Sequence, residues 1–457
     1  MKREERPEKK EEENWEKGLP APAAFGTLPW GAPLVRPGGR RFGLLGAKLG
    51  HSYSPQLHRQ LGDYDYRLYE KPREELADFL SQPDLGGLNV TIPYKQEVLS
   101  YCDELSPAAK AIGCVNTLIF GERDGRPWLY GHNTDYDGFV YLARRTKIDF
   151  AKRKVLILGS GGTSLTAAYA ARRLGAAQVV RISRGGPDNY NNLEKHRDAE
   201  ILVNTTPVGM YPQNQGQLVR PRDFPKLKGV LDVIYNPLCT NLVLEARDLG
   251  ILASGGLGML AAQAAAAARL FGGPAISQAR LEEILAGLRA QAENIVLIGM
   301  PGCGKSRIGR ALARLTGRPL FDTDEMVRKT AGREIPLIFQ EEGEAGFRAR
   351  EREAIALAAQ KTNAVIATGG GAVLGEANRR ALAQNGRLCF LQRELSLLPT
   401  KGRPLSVDLQ EMYKRRLPIY LQAADLVIEN TGSPQEVAAA VLAAYRQGPP
   451  EAGIPGL

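Results

Sequence analysis

Short apolar runs followed by turns and helical patterns recur along the chain. Strand-like runs occupy residues 42–46, 154–158 and 294–298. The second and third of these run into glycine-rich turns, and each turn opens a helical segment. Strands that alternate with helices favour mostly parallel sheets covered by helices. The pattern therefore predicts an α/β protein with two such blocks.

Composition changes at the ends of the chain and between the two blocks. Residues 1–18 mix opposite charges with almost nothing to bury, and residues 19–39 are rich in proline and glycine. A Gly-Gly-Pro break precedes a stretch with helical apolar spacing between the blocks. The predicted parts are a charged tail and linker (1–40), a first block (41–273), a linker helix (274–293), a second block (294–447) and a short tail (448–457).

The overall composition narrows the class of protein. Hydrophobic residues make up 43% and charged residues 24% of 457, as in globular proteins. No apolar run approaches the roughly 20 residues of a membrane span, and residues 1–18 lack the apolar core of a secretory signal. The net charge of +10 comes without a basic stripe, which favours anionic small-molecule substrates over nucleic acid. We expect neither a nucleic-acid nor a membrane partner, and a homo-oligomer stays open.

The cysteines and histidines argue against structural cross-links. Five cysteines include no C-x-x-C pair, and four histidines lack metal-ligand spacing. A disulfide framework and a structural zinc site are therefore not expected. The pattern fits a reducing compartment, and we predict a cytoplasmic protein.

The second block contains a phosphate-binding motif. Residues 299–306 read G-M-P-G-C-G-K-S and match G-x-x-x-x-G-K-[ST] between a strand and a helix. Backbone N–H groups of such a loop surround phosphate oxygens, and the alternative is an ordinary glycine-rich turn. Lys305 can reach the outer phosphates, and Ser306 can offer its hydroxyl to Mg²⁺. The predicted ATP-binding residues are Gly302, Cys303, Gly304, Lys305, Ser306 and Arg307.

Features after this loop point to the phosphate acceptor. Asp322 and Asp324 follow a short strand, where one carboxylate can support Mg²⁺ and the other can hold a substrate hydroxyl; a capped loop is the alternative. Arg348 and Glu351 share a helix face, so the glutamate can orient the guanidinium towards a carboxylate; a surface pair is the alternative. A strand then ends in three glycines at 369–371, where backbone can approach a small ligand.

In this order the motifs resemble shikimate kinase over residues 294–447. The segment G-R-P-L at 402–405 resembles the lid of that family, and Arg416 stands four residues before Tyr420 as its second carboxylate-binding arginine does. The resemblance implies a P-loop α/β/α domain in which Lys305, Asp324 and Arg403 are catalytic and Asp322 and Ser306 hold the metal. It implies that shikimate is bound by Asp324, Arg348, Gly370, Gly371 and Arg416, and that Arg403 closes over the phosphates. Residues 430–434 offer no family-specific adenine contact.

The first block contains a dinucleotide-type turn. Residues 159–164 read G-S-G-G-T-S after a strand, and they depart from G-x-G-x-x-G at the last position. A structural turn is the alternative. The next strand ends in Ser183-Arg184 without a carboxylate, and a guanidinium there suits the extra phosphate of NADP. The predicted cofactor residues are Gly159, Ser160, Gly161, Gly162, Thr163, Ser183 and Arg184.

Short polar motifs precede and follow this turn. Ser52 and Ser54 lie two apart, where both hydroxyls of an extended loop can face a carboxylate, and Lys95 follows a strand that Pro93 stops. Asparagine-containing motifs stand at 115–117 and 133–135, and each motif alone is typical of a plain turn or a surface group.

Together these motifs resemble shikimate dehydrogenase over residues 41–273, with N-T-T-P-V-G-M at 204–210, Y-N-P at 235–237 and G-G-L-G-M-L at 255–260. The resemblance implies a substrate lobe at about 41–145 plus the helix at 259–271, and a Rossmann NADP lobe at about 150–255. It departs at Asn241, where a proline is expected. It implies Lys95 and Asp135 as the catalytic pair. It implies substrate contacts from Ser52, Ser54, Thr91, Asn116, Asp135, Tyr235 and Gln263, and further cofactor contacts from Val233 and Gly256.

The two resemblances concern consecutive reactions. They imply NADPH-dependent reduction of 3-dehydroshikimate to shikimate, then phosphorylation of shikimate by ATP with Mg²⁺. We expect the two activities to be separable, because each block has its own phosphate-binding turn. The alternatives are a quinate/shikimate dehydrogenase that prefers NAD and a regulatory protein with one inactive block. A generic P-loop ATPase or nucleic-acid kinase is disfavoured by the paired arginines.

Overall fold

The computed structural model describes residues 35–36, 38–50, 52–398 and 409–447. The strands are β1 Arg41–Gly46, β2 Tyr66–Glu70, β3 Leu85–Val90, β4 Glu104–Leu105, β5 Thr117–Arg123, β6 Arg126–His132, β7 Lys154–Leu158, β8 Gln178–Ile182, β9 Ile201–Asn204, β10 Gly229–Asp232, β11 Leu252–Ser254, β12 Asn294–Ile298, β13 Leu320–Asp322, β14 Val365–Ala367, β15 Gly386–Gln392 and β16 Leu426–Glu429. The helices are α1 Ser54–Leu61, α2 Leu76–Leu80, α3 Pro107–Ile112, α4 Asp135–Arg145, α5 Gly162–Arg173, α6 Asn241–Asp248, α7 Leu257–Leu270, α8 Gln278–Ala292, α9 Lys305–Thr316, α10 Thr323–Ala331, α11 Ile335–Ala359, α12 Glu376–Asn385, α13 Leu409–Ala423 and α14 Pro434–Arg446.

The chain forms two compact units. One comprises residues up to Tyr141 together with Met259–Ile284, and the other comprises Leu142–Gly258 together with Leu285–Leu457. The second unit therefore contains both glycine-rich turns identified in the sequence. Within the described ranges, no helix combines the length and the apolar character that crossing a membrane requires.

The first unit contains a mixed six-stranded sheet in the order β2-β1-β3-β5-β6-β4. Strands β1, β2 and β3 are parallel, whereas β3, β5 and β6 are antiparallel neighbours. The predicted parallel pairing therefore covers only part of this sheet. The antiparallel pairing of β5 with β6 comes from a hairpin, in which Asp124 and Gly125 both have positive φ, as a tight turn between antiparallel strands requires.

An aromatic cluster covers one face of this sheet. Phe271, which follows α7, packs with Phe42 and Tyr66. Its ring lies so close to Gly87 of β3 that a Cβ atom there would collide with it. Residues far apart in the chain therefore complete the core of the first unit.

The second unit contains two five-stranded sheets, each fully parallel. Their orders are β11-β10-β9-β7-β8 and β13-β14-β12-β15-β16. The strands β7 and β12 are interior, so the turns that follow them open at the carboxyl edge, where parallel α/β sheets bind ligands. The predicted strands at 154–158 and 294–298 match the observed bounds, whereas Asp322, which was expected to follow a short strand, is the last residue of β13.

Candidate active sites

Lys95 and Asp135 form a close ion pair in the first unit. Lys95 lies in the turn after β3, and Asp135 begins α4. The Lys95 Nζ atom donates to Asp135 Oδ2 at 2.5 Å, and the two side chains are only 15% and 10% exposed. Burial acts to lower the pKa of Lys95, but the charge and hydrogen bond of Asp135 outweigh it, so this pKa lies above its usual value. The ammonium group is thus held charged beside the Asp135 carboxylate.

A buried polar network leads from α1 to this pair. Ser54 is hydrogen-bonded to Tyr66, whose hydroxyl donates to Asn89 Oδ1 at 2.8 Å. Asn89 Nδ2 donates to the Asn116 carbonyl at 3.4 Å, and Asn116 Nδ2 donates to Thr134 Oγ1 at 3.1 Å. Because Thr134 immediately precedes the carboxylate of the pair, the network fixes the groups around it. Tyr66 and Asn89 were not predicted as site residues: Asn89 lies in the segment 89–95 that supplied Thr91 and Lys95, whereas Tyr66 belongs to no motif identified in the sequence.

The serine motif differs from its prediction. Ser54 does not lie in an extended loop, because it is the first residue of α1, with Pro55 in the first turn. Its N–H donates to Ser52 Oγ at 3.2 Å. Thr91 follows β3 directly, and β1 and β3 are parallel neighbours. Ser52 and Thr91 therefore lie beyond the same edge of the sheet.

Two further predicted substrate residues lie in different units. Gln263 lies on α7 in the first unit, where its Cβ atom adjoins Gly138, one turn after Asp135 on α4. Its Nε2 atom donates to the Leu260 carbonyl at 3.0 Å. Tyr235 belongs to the second unit.

A second carboxyl group of α4 has a perturbed pKa. Burial raises the pKa of Asp137 to about 7, and the nearby charge of Asp135 acts in the same direction. Asp137 therefore titrates near neutral pH, two residues from the carboxylate that pairs with Lys95.

The turn after β7 is built for an anion. Gly161 is the N-cap of α5, and a Cβ atom there would meet nothing within 4 Å, so the backbone faces open space. Ser164, which stands at the third glycine position of the motif, donates from Oγ to the Gly161 carbonyl at 2.7 Å. The serine thus closes the turn itself, and the first N–H groups of α5 are available to a phosphate. Gly159, Ser160, Gly162 and Thr163 belong to the same turn and helix start.

The end of β8 offers a cation, and one oxygen of the next acid is already paired. Arg184 is exposed in the turn after Ile182. The next carboxylate, that of Asp188, is bonded to His196 Nε2 at 2.8 Å. The Asp188 carbonyl accepts the Ser183 N–H at 3.2 Å. This arrangement suits a phosphate beside Arg184 better than ribose hydroxyls held by an acid.

The segment 233–240, here called the Tyr235 loop, is held at both ends by Asp232. The carboxylate of Asp232 accepts from the Ile234 N–H at 3.0 Å and from Thr240 Oγ1 at 2.7 Å. Burial raises the pKa of Asp232 to about 6. The N–H of Gly256 donates to the Ile234 carbonyl at 2.7 Å, which joins the two predicted cofactor segments around Val233 and Gly256.

The loop after β12 has the shape of a phosphate cradle. Gly302 and Gly304 have φ values of 86° and 94°, which residues with a side chain rarely adopt. Lys305 begins α9 and folds back, and its Nζ donates to the carbonyls of Gly299 and Met300 at 2.8 and 2.9 Å. The ammonium group therefore lies inside the loop, where it is predicted to contact the outer phosphates of ATP.

A cavity of about 760 Å³ joins this loop to the predicted acceptor residues. Arg348 Nη1 donates to Glu351 Oε2 at 2.8 Å, and the Glu351 side chain is 2% exposed. Arg416 Nη1 donates to the Gly370 carbonyl at 3.2 Å. Gly371 lies so close to the Arg348 guanidinium that a Cβ atom would collide with it. Both arginines, which are far apart in the chain, thus line one cavity.

The two predicted aspartates have different surroundings. Asp324 lines the cavity, and burial raises its pKa although the charge of Lys305 opposes the shift. Asp322 is the N-cap of α10, where its Oδ1 accepts the N–H groups of Asp324 and Glu325 at 3.1 and 3.2 Å. One Asp322 oxygen thus caps the helix, as the alternative of a capped loop predicted. The role of Asp322 in binding the metal stays a prediction. Arg403 lies outside the described residues.

Oxygen donors that suit Mg²⁺ stand beside the phosphate loop. The Ser306 hydroxyl group lines the cavity, and hydroxyl and carboxylate oxygens are ligands that Mg²⁺ accepts. Among the described residues, no group of three or more His, Cys, Asp or Glu side chains could hold a metal alone. In proteins, Mg²⁺ usually shares its coordination with phosphates and water.

Arg393 and Asn430 are among the cavity residues that were not predicted as site residues from the sequence. Asn430 Nδ2 donates to the Cys303 carbonyl of the phosphate loop at 2.5 Å, and Arg393 follows β15. Both line the cavity, and Arg393 Nε is buried without a hydrogen-bond partner among the described residues. No local pattern marks them, because only the sheet order brings the ends of β15 and β16 to the loop after β12.

The folds and sites together define an enzyme with two nucleotide-type centres, one of the dinucleotide-binding oxidoreductase class and one of the P-loop phosphotransferase class. Comparison with known proteins agrees. The family "Shikimate dehydrogenase substrate binding domain" matches residues 44–118, and the family "Shikimate kinase" matches residues 301–446.

The first part of the chain matches similar proteins over most of their length. Shikimate dehydrogenase (NADP(+)) of Clostridium perfringens strain SM101 is 34% identical over 271 residues, which cover 55% of this chain and 98% of that protein. The enzyme of the same name from Dehalococcoides mccartyi is 37% identical over 254 residues, covering 49% and 87%. The crystal structure of a chorismate mutase/shikimate 5-dehydrogenase fusion protein from Clostridium acetobutylicum has a TM-score of 0.51 at 32% identity, covering 54% and 96%.

The chain belongs to the shikimate dehydrogenase family, and a shikimate kinase domain follows in the same chain. The predicted fusion of these two enzymes and the predicted α/β class are confirmed.

Proposed function

We propose that the chain reduces 3-dehydroshikimate to shikimate with NADPH and then phosphorylates shikimate with ATP to give shikimate 3-phosphate. The observation that carries this proposal is the kinase cavity. One end is the phosphate loop, and the other presents Arg348, Arg416 and the carboxylate of Asp324. A substrate that carries both a carboxylate and hydroxyl groups satisfies this set, and the dehydrogenase would produce such a compound.

The ion pair of the first unit supports the reduction. Bound NADPH would supply a hydride to the ketone carbon. Lys95 would donate a proton to the ketone oxygen, and Asp135 would keep the ammonium group charged and in position. Asn116 and Ser54, which the buried network fixes, would bind the substrate with Ser52, Thr91, Tyr235 and Gln263.

The preference for NADPH rests on the end of β8. Arg184 is exposed there, and the carboxylate of Asp188 is already bonded to His196. The first cofactor phosphates would lie at the N-terminus of α5, and the additional phosphate would lie beside Arg184. These contacts favour NADP over the alternative of an NAD-preferring quinate/shikimate dehydrogenase.

The second cavity supports phosphoryl transfer to a hydroxyl group. Arg348 and Arg416 would bind the substrate carboxylate, and Asp324, whose pKa burial raises, would accept a hydrogen bond from the reacting hydroxyl. Lys305 would exchange its two carbonyl partners for phosphate oxygens. Ser306 and the predicted ligand Asp322 would hold Mg²⁺, which would neutralise phosphate charge. Arg403 would add a further cation.

A coupled assay tests the proposal. The full chain is incubated with 3-dehydroshikimate, NADPH, ATP and Mg²⁺, and the products are separated by chromatography. We expect shikimate 3-phosphate with ATP and shikimate without it. Oxidation of NADPH with no phosphorylated product would contradict the kinase assignment, and phosphorylation of added shikimate without NADPH oxidation would contradict the dehydrogenase assignment.

A further inference from the structure

The C-terminal end of α12 is hydrogen-bonded to the nucleotide-binding lobe inside the second unit. Asn385 Oδ1 accepts the N–H of Leu238 at 2.8 Å, and the Gln384 carbonyl accepts the N–H of Cys239 at 2.9 Å. Gln384 Nε2 also donates to Asn241 Oδ1 at 3.1 Å. Gln384 and Asn385 are only 1% and 2% exposed. This end of a kinase helix is therefore buried against dehydrogenase backbone.

Further contacts surround these bonds. The side-chain amides of Gln384 and Asn214 are bonded to each other, and Gln384 Nε2 donates to the Asn214 carbonyl at 3.1 Å. Arg380, one turn earlier on α12, pairs with Asp248 of α6 at 2.6 Å. Tyr211 donates from its hydroxyl to the carbonyl of Ala359 at 3.0 Å. The interface is thus polar and specific in register.

The backbone that α12 contacts belongs to the Tyr235 loop. On its other side, Gly255 adjoins the Leu238 carbonyl so closely that a Cβ atom would collide with it. The N–H of Leu238 faces Asn385, and its carbonyl faces Gly255. The loop is therefore held between the segment at 255–256 and the kinase helix.

The same helix is tied to the kinase cavity at its other end. Asn378 Nδ2 donates to the Ala372 carbonyl at 2.8 Å, directly after Gly371 of the cavity. One continuous segment thus runs from the cavity to the Tyr235 loop. Asn241, which departs from the dehydrogenase resemblance, supplies the acceptor for Gln384; a proline there would have no side-chain acceptor.

We propose that α12 of the kinase domain positions the Tyr235 loop of the dehydrogenase, and that Asn385 and Gln384 are positioning residues for the dehydrogenase reaction. The proposal rests on the proposed function of the first block. It limits the expectation from the sequence that the two activities are separable: single variants in one active site should still spare the other, but the dehydrogenase reaction would depend on the kinase helix. Without the acceptor of Asn385, the half-buried N–H of Leu238 would lack its partner, and the loop would lose one of the bonds that fix its position.

The test measures shikimate oxidation by the full-length variant Asn385→Ala. Loss of one buried hydrogen-bond partner predicts about a tenfold rise in the KM for shikimate, with kcat changed less. In the kinase reaction of the same variant, both the KM for shikimate and the kcat should stay at the wild-type level. Asn385→Asp should bring the dehydrogenase KM part of the way back, because it keeps the acceptor oxygen but places a second carboxylate oxygen where Asn385 Nδ2 is buried without a partner among the described residues.

Two other variants complete the test. Gln422→Ala changes an exposed glutamine on α13 and should leave both activities unchanged. Asn241→Ala removes the acceptor of Gln384 from the dehydrogenase side and should raise the same KM, which keeps the test informative if Asn385→Ala does not fold. The proposal is overturned if both Asn385→Ala and Asn241→Ala keep the wild-type KM. It is also overturned if both activities fall equally and Asn385→Asp does not reverse the loss. An inactive wild-type chain would instead contradict the proposed function.

Discussion

Replacement of Arg348 by alanine should weaken both the kinase fold and its grip on substrate. Arg348 is the partner of Glu351, whose side chain is 2% exposed and whose Oε1 has no hydrogen-bond partner among the described residues. Removing one partner of a buried pair costs about 3–5 kcal/mol. We expect about 3 kcal/mol, the lower end, because Arg348 itself is 22% exposed.

The double variant Arg348→Ala/Glu351→Ala separates the two effects. It removes the unpaired buried carboxylate, so its urea midpoint should return most of the way to that of the wild type. Its KM for shikimate should stay high, because the cation for the carboxylate is still missing. ATP binding should change little in either variant. The measurements are urea denaturation followed by circular dichroism and steady-state kinase kinetics.

Arg350→Ala is the matched control. Arg350 lies on the same helix, but its partner Glu342 is 26% exposed, against 2% for Glu351, so water can solvate the Glu342 carboxylate when the arginine is removed. We expect little change in stability or kinetics. The reasoning fails if Arg348→Ala unfolds like Arg350→Ala, or if it keeps the wild-type KM for shikimate while the KM for ATP rises.

Three more predictions follow from the two sites. Lys95→Ala should abolish most shikimate oxidation, because proton transfer is lost. Lys305→Ala should abolish most phosphorylation while sparing oxidation. Assays of both reactions on each variant check this, and loss of both activities in Lys305→Ala would contradict it. Arg184→Ala should raise the KM for NADPH far more than the KM for NADH, and equal effects in a titration of both cofactors would remove Arg184 from the 2′-phosphate site. The pKa of Asp137 is raised to about 7 from an ordinary 3.8, so the protonated side chain favours the folded state. Its contribution to the free energy of unfolding is present below about pH 4 and is lost as the pH rises to about 7. Asp137→Asn should therefore lose less stability than the wild type between pH 5 and pH 8 in urea denaturation, and parallel pH profiles would contradict the assignment.

Local signals in the sequence predicted the elements around the phosphate loop. The apolar run at 294–298 and the motif at 299–306 determine a strand, a turn and a helix from adjacent residues, and the structure contains all three. The pairing of Lys95 with Asp135 was also expected, although it came from the family resemblance. Sequence reasoning works here because the chemistry is written in short motifs.

Contacts between distant residues could not be predicted in the same way. The bond from Leu238 to Asn385 joins residues whose local sequences carry no signal for each other. The helical start at Ser54 was missed because the hydroxyl spacing was interpreted without the proline that follows it. The antiparallel part of the first sheet depends on the turn at Asp124, which the βα alternation elsewhere in the chain obscured.

The aromatic cluster of the first unit has a consequence for synthesis of the chain. Phe42 and Tyr66 leave the ribosome early, but Phe271, which covers them, follows the entire insertion at Leu142–Gly258. Chains grow at roughly 5–20 residues per second, so this apolar surface stays uncovered for about ten seconds or more. The part of the protein made first should therefore be completed only after α7 emerges, and it is the part that most needs protection from aggregation during translation.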